Sequence, residues 1–423
     1  MRELGAITAV ALAVRLALAL TLPVSPAWDG VLYARGASSI ARDGAYTQRA
    51  IRDEAPARAS AFYPVGWPAL LALLRVAGAR GADAASGHVA DLVLQSALGS
   101  LAAACAYLLG RRARGARAGR IAGMLVALAP GSVLICASWL AEPLFTALLA
   151  LAALPLAYAR RSQRLRALGL SALVLGLAAY VRPVALPIAL LLALFVARHA
   201  QRTTRMRYPR LRAFVVCTLV SASCALLPLA PWIARNAEKM HAPVLVSTNG
   251  GANLLLGTFG DGRYGAIPAE LDCPHGLREV ERDRCRTRHA LGRLRADPVA
   301  ALLRGARKLF DTFAYEVSPA LVVAAGLPGG HFARVAIARG GAIASTAAWL
   351  ALVALALAPL RRARLSPRAL VDFTCAATLG TALLHAVYLG GDRYHLPLVP
   401  LFAALAAVSL VNIRDASRRG RRR

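Results

Sequence analysis

The sequence predicts an all-α membrane protein: a polytopic bundle of about ten transmembrane helices whose external loops carry short interfacial helices. Two observations carry this reading. Apolar runs of roughly 20 residues recur from end to end, each long enough to cross a bilayer core of about 30 Å. Between them, arginine-rich clusters fall at intervals that put all of them on one side of the membrane. The chain has 423 residues, of which 58% are hydrophobic, and a mean hydropathy of +0.53. A soluble chain of that length has too little interior to hide so much apolar surface. Leu and Ala dominate the runs, which favours helices over barrel strands.

The runs place helices at about 6–23, 88–110, 120–138, 141–158, 166–181, 183–198, 213–233, 337–358, 369–389 and 396–413. The first run follows Met1-Arg2-Glu3 directly. No small-residue cleavage site ends it, and Pro23 and Trp28 follow, so it reads as an uncleaved first helix rather than a signal peptide. The net charge of +30 sits mostly in Arg111 to Arg120, Arg160 to Arg166, Arg198 to Arg212, Arg361 to Arg368 and Arg414 to Arg423. These segments hold 25 arginines against one acid, Asp415, and each abuts an apolar run. That is the positive-inside pattern, not a nucleic-acid surface. Residues 1–413 therefore read as one transmembrane domain and 414–423 as a basic cytoplasmic tail, with both termini cytoplasmic. The arginine, alanine and glycine usage suggests a GC-rich bacterial genome, hence a bacterial plasma (inner) membrane.

Two long segments fall on the external side, 24–87 and 234–336. Within them, 69–77 and 319–328 are apolar but too short to span and suit interfacial helices. A dip of the second into the membrane would change the helix count by one or two. Cys105, Cys136, Cys217, Cys224 and Cys375 lie in apolar runs and read as packing residues. Cys273 and Cys285 lie in the polar external segment, where an oxidising compartment favours a disulfide; their spacing leaves open whether they meet.

The short external turns gather the ionisable residues: Asp29 after the first helix, Glu142-Pro143, Arg182-Pro183, Arg235-Asn236, and Asp392-Arg393-Tyr394-His395. Charges near membrane depth are costly and commonly line a functional cavity. The arginines suit an anionic, lipid-linked substrate, and a carboxylate suits a proton-accepting step. Each has a plainer reading. Asp29 can cap a helix over 31–42, and Glu142 can begin a helix near its positive dipole end. Arg182, Arg235 and Arg393 can snorkel to headgroups. Tyr63 and Trp67 can be interfacial belt aromatics, and His395 reads as a turn or packing residue. No HExxH, Walker loop or GxSxG elbow occurs, so no cofactor pattern is present and a divalent metal is left open.

Four stretches then resemble the GT-C superfamily of membrane glycosyltransferases, in particular the protein O-mannosyltransferases and the lipid A aminoarabinose transferase. They are Trp28-Asp29-Gly30-Val31-Leu32-Tyr33-Ala34-Arg35, Tyr63-Pro64-Val65-Gly66-Trp67-Pro68, Pro231-Trp232-Ile233-Ala234-Arg235-Asn236 with Ser247-Thr248-Asn249-Gly250-Gly251-Ala252-Asn253-Leu254, and Asp392-Arg393-Tyr394-His395-Leu396-Pro397. Ala141-Glu142-Pro143-Leu144-Phe145 adds a weaker match. The resemblance implies transfer of a sugar from a polyprenyl-phosphate donor to a hydroxyl acceptor on the external face. That acceptor would be an envelope glycan such as lipopolysaccharide, a glycolipid or a protein. Membrane lipids are partners and nucleic acid is not. It makes Asp29 the general base, with Arg393, Arg182 and Arg235 on the donor phosphate. Glu142, Tyr63, Tyr394, Asn249 and Asn253 would contact substrate. Many relatives carry an acidic pair where this chain has Asp29-Gly30. With one carboxylate there, a direct, inverting displacement is expected. Competing readings are a lipid or oligosaccharide transporter, an O-antigen-type ligase or polymerase, and a structural subunit. The chain shows no internal repeat of the kind many transporters carry.

Overall fold

The computed structural model describes residues 2–51, 58–78, 84–200, 209–274, 276–330, 332–358 and 368–420. Parts of the clusters Arg198 to Arg212, Arg361 to Arg368 and Arg414 to Arg423 lie outside the described residues. Among those described there is no β-strand, only an isolated bridge between Thr47 and Ala59.

The first half runs α1 (Arg2–Thr21), α2 (Asp29–Asp43), α3 (Gly66–Gly78), α4 (Ala84–Arg114), α5 (Ala116–Leu128), α6 (Pro130–Leu134), α7 (Glu142–Tyr158), α8 (Arg164–Ala179) and α9 (Ala185–Ala200). It continues through α10 (Pro209–Leu226), α11 (Ala230–Met240), α12 (Gly250–Leu256), α13 (Glu279–Ala296), α14 (Pro298–Phe313) and α15 (Ser318–Gly326). The last helices are α16 (Phe332–Ala336), α17 (Ala342–Leu357), α18 (Arg368–Val387) and α19 (Val399–Gly420). Every one of the ten apolar runs carries helix. Among the described residues six stretches are long and apolar enough to cross a membrane, and a seventh if the bent α5–α6 pair counts as one span. Helices α7, α8 and α9 have only 16 or 17 residues. The count of ten spans thus depends on these short helices. The stretches expected at 69–77 and 319–328 are α3 and α15.

Burial sorts the bundle into inner and outer helices. The most apolar window of the span holding α19 is 83% buried, whereas those of α1, α10–α11 and α16–α17 are 22% buried. The outer helices leave large apolar residues exposed, among them Leu211, Phe214, Leu219 and Leu227 on and just beyond α10. An unpartnered apolar face of that extent belongs against lipid, not water. At one end of the bundle, Glu3 of α1 pairs with Arg120 of α5 and accepts from Tyr107 of α4, and Arg114 reaches Asn412 and Asp415 of α19. The loops bearing Asp29, Glu142, Arg182 and Arg393 lie at the other ends of these and neighbouring helices.

Arg15 places a charge inside the bundle. Pro130 has no N–H, and α5 and α6 meet at a 60° bend, so carbonyls at the end of α5 lose their helical donors. Arg15 of α1 supplies replacements: Nη2 donates to Val126 O at 3.0 Å and Nη1 to Ala127 O at 3.0 Å. The side chain is 1% exposed, and its charge sits at the negative end of the α5 dipole. Arg15→Leu orphans these acceptors. On the scale of charge-assisted hydrogen bonds it costs on the order of 3 kcal/mol. The expected result is a thermal unfolding midpoint in detergent several degrees lower, with Arg15→Lys intermediate; an unchanged midpoint for Arg15→Leu would refute this role.

Candidate active site

Asp29 is the first residue of α2, entered through Trp28, whose φ of 53° turns the chain sharply. Such a conformation is uncommon for a residue with a Cβ and costs about 1–3 kcal/mol. The Asp29 side chain makes no cap hydrogen bond to α2. Its Oδ2 accepts from Arg393 Nη2 at 2.7 Å and its Oδ1 from the Tyr63 hydroxyl at 3.3 Å. The capping reading therefore gives way to an ion pair across 364 residues of chain. Burial and the Asp29 carboxylate hold the Tyr63 phenol well above its ordinary range, so it acts as a donor. Gly30 packs directly on Trp139: a Cβ there would lie 3.0 Å from Trp139 Cβ.

Glu142 begins α7, and the segment before it is anchored from two sides. Gln95 donates to Ser138 O at 2.6 Å and to Leu140 O at 3.1 Å, and the Trp67 indole donates to Trp139 O at 2.9 Å. Glu142 is 1% exposed. Its Oε1 pairs with Arg182 and lies 3.9 Å from Arg393 Nε. A second carboxylate thus stands close to Asp29, across Arg393. The two arginines also flank the Tyr394 ring, at 5.2 and 5.3 Å from its centroid, and His385 stacks on that ring at 4.0 Å. Asp392 fixes the turn by accepting from the amides of Val317 and Ser318 and from the Ser318 hydroxyl.

The facing wall comes from the second long loop. Glu279 of α13 accepts from Ser60 Oγ at 2.7 Å, the Ala61 amide at 2.8 Å and Thr248 Oγ1 at 2.6 Å. One carboxylate so joins the two loops, and Thr248 N donates to Ala61 O as well. Asp283 accepts from the Gly251 amide at 2.6 Å, and burial pushes its carboxyl above the usual range. Cys273 and Cys285 are joined as a disulfide that ties the loop before α13 to the helix.

These walls enclose a cavity of about 480 Å³ lined by Asp29, Tyr63, Arg182, Asn249, Asn253, Arg393 and Tyr394. One side of it is apolar, with Val181, Val184, Leu186, Leu384 and Leu389. Two expected residues are placed otherwise. Arg235 is not at the cavity. Its guanidinium is used in donating to Ser60 O, Tyr46 O and Asn236 Oδ1, and it stacks over Trp232, so it clamps the first loop onto α11. Glu142 lies behind the arginines and orients them without reaching the cavity surface. The sequence reading missed Tyr33, Asp283 and Arg284, which line the cavity, and Glu279. Tyr33 was findable, since four residues after Asp29 it shares that residue's helix face. Nothing in the spacing marks the α13 residues.

Among the described residues the Asp29 and Glu142 carboxylates are not part of a group of three close ligand residues. Asp29 and Glu142 are each held by a guanidinium, and no third ligand stands with them among the described residues. The one described group of three close ligands is Cys273, Cys285 and His289, whose two sulfurs are bonded to each other.

Residues 86–226 match the family model described as dolichyl-phosphate-mannose-protein mannosyltransferase. The structure is similar to that of the Archaeoglobus fulgidus oligosaccharyltransferase. The apo form has a TM-score of 0.50 and 14% identity over 98% of this chain and 51% of that one. The complex with Zn and sulfate has 0.51 and 13%, over 97% and 49%. The chain has the GT-C fold. It spans about half the length of the oligosaccharyltransferase it resembles. A looser likeness, TM-score 0.38 and 15% identity over 95% of this chain and 76% of that one, is to ArnT from Cupriavidus metallidurans bound to undecaprenyl phosphate. No curated protein sequence matches.

Proposed function

We propose that this GT-C protein is a membrane glycosyltransferase that moves a sugar from a polyprenyl-phosphate donor to a hydroxyl acceptor, with inversion. The observation that carries the reading is the direct contact of Asp29 with Arg393 at the floor of a half-apolar cavity. Arg393 and Arg182 present planar, permanently charged donors suited to a phosphate. The apolar side takes the first isoprene units of the lipid. Phosphate binding competes with Asp29 for Arg393 and frees the carboxylate to face the acceptor. The acceptor oxygen then bonds to the anomeric carbon as the bond from that carbon to the phosphate oxygen breaks. The electron pair leaves on the phosphate, stabilised by the two guanidiniums, and the hydroxyl proton passes to Asp29. Tyr63 holds the other Asp29 oxygen and so fixes which one faces the acceptor. Asn249 and Asn253 face the same space and suit sugar hydroxyls.

The test is to incubate the purified protein with polyprenyl-phosphate sugars extracted from membranes and a crude envelope acceptor. The expected result is free polyprenyl phosphate appearing in step with sugar on the acceptor. Movement of the intact lipid-linked sugar across vesicle bilayers, with no sugar released, would put a transporter in place of a transferase.

A further inference from the structure

A second cavity, of about 440 Å³, lies on the other side of the Asp392–His395 turn, between α5 and α17. Ile121, Met124 and Leu128 of α5 line it, as do Ala348, Ala351 and Leu355 of α17. Spacings of three and four residues on both helices make it a groove along their axes, about 10 Å long for seven residues at 1.5 Å each. Both helices belong to stretches of membrane-spanning composition, and Leu128 is 53% exposed, so the groove opens toward lipid.

Its closed end holds one ionisable group. Glu316 is 3% exposed, and its Oε2 lies 2.9 Å from His395 Nε2. His395 Nδ1 lies 2.6 Å from Thr312 O, which can only accept, so that nitrogen carries a proton. The contact to Glu316 then needs a second proton, on Nε2 or on Oε2, and in either arrangement the pair is neutral overall. Trp349 stacks on the imidazole at 3.9 Å and closes that side. The other carboxylate oxygen, Oε1, lies over Gly131, where a Cβ would come within 1.8 Å of it. Oε1 accepts from no described residue, although Glu316 lines the groove. Oε1 is not sealed off, and an acceptor with no protein donor that keeps accessible surface beside the groove can be met by a donor arriving through it.

We propose that the groove binds a neutral long-chain alcohol from the membrane, its hydroxyl donating to Glu316 Oε1 and its chain lying between α5 and α17. A neutral head matches a neutral Glu316–His395 pair, whereas a carboxylate head would bury a charge against an acceptor. The site is separate from the sugar-transfer cavity and does not depend on that assignment.

The test uses the whole protein in phosphatidylglycerol nanodiscs and a sixteen-carbon alcohol carrying a mid-chain diazirine. The same chain is offered as its methyl ether and as its carboxylic acid. Labelled peptides covering 116–134 and 342–357 are expected with the alcohol, about five-fold or more above the ether, the scale of one buried hydrogen bond. The acid should label less than the alcohol. Ala351→Trp should remove the alcohol labelling by filling the groove, and Glu316→Leu should bring the alcohol down to the ether level. Excess undecaprenyl phosphate should leave the labelling unchanged. Equal labelling by alcohol and ether in the wild type, labelling that survives Ala351→Trp, or competition by undecaprenyl phosphate would each overturn the proposal. The comparison of head groups needs no variant, so it stands even if Glu316→Leu fails to fold.

Discussion

Asp29→Asn is expected to cut turnover of lipid-linked sugar by about 10²–10⁴-fold, the range of a lost general base. Asparagine keeps the shape, accepts with its one oxygen from either Arg393 or Tyr63 but not from both, and cannot take the proton. In the proposed reaction the Asp29 carboxylate, paired with Arg393, competes with a donor phosphate for it, so the same change should leave donor binding intact or tighten it. Turnover in the variant would therefore fall with KM for the donor level or lower, the signature of an interaction used in the transition state. A proportional rise in KM would instead make Asp29 a binding residue. Unchanged turnover would remove it from the reaction.

Arg393→Met should have two separable consequences. The leaving phosphate loses a guanidinium, which should lower turnover by about 10²–10³-fold, on the scale of removing one preorganised donor. The protein should also lose stability, because Asp29 and Glu142 are left buried with one cation where there were two. Breaking one side of a buried pair costs about 3–5 kcal/mol. The stability loss should be partly recovered in Arg393→Met with Asp29→Asn, since the second change removes the stranded charge. Activity should not recover. Arg393→Lys should keep much of the stability and little of the rate, because an ammonium lacks the planar fork. If the double variant were no more stable than Arg393→Met, the Asp29–Arg393 pair would not be the structural link described above.

Much of this arrangement was legible in the chain because hydropathy fixes where helices turn. Asp29, Arg182 and Arg393 stand at turns on the same side of every apolar run, so topology alone brought them to one end. What escaped depends on contacts that leave no period. Arg235 looked like its fellow arginines at a helix end, yet loop carbonyls take up its donors. Glu142 shares a turn position with them and sits one layer deeper, which spacing does not reveal. Glu279 and Asp283 lie on α13, a polar helix whose charges read as solvated until the loops fold onto it. Arg15 fell inside an apolar run and drew no notice, because its partners are carbonyls freed by a proline 115 positions later in the chain. The helix count was the least legible feature, since α7, α8 and α9 are shorter than a free-standing span requires.

The contact between Gly30 and Trp139 bears on how this site can change. The obstacle to a side chain at position 30 is the Trp139 Cβ, with the Trp139 Cα and carbonyl carbon at 3.5 Å. Replacing the tryptophan by phenylalanine or alanine leaves that Cβ in place, so only glycine at 139 or a shift of the backbone makes room. The Trp67 indole holds that backbone by donating to Trp139 O, and the Trp139 indole donates to Asp91 at 3.2 Å. A second acid beside Asp29 would thus need the Trp139 backbone to give by a few tenths of an ångström, a shift that loads the contacts holding the α4–α7 junction.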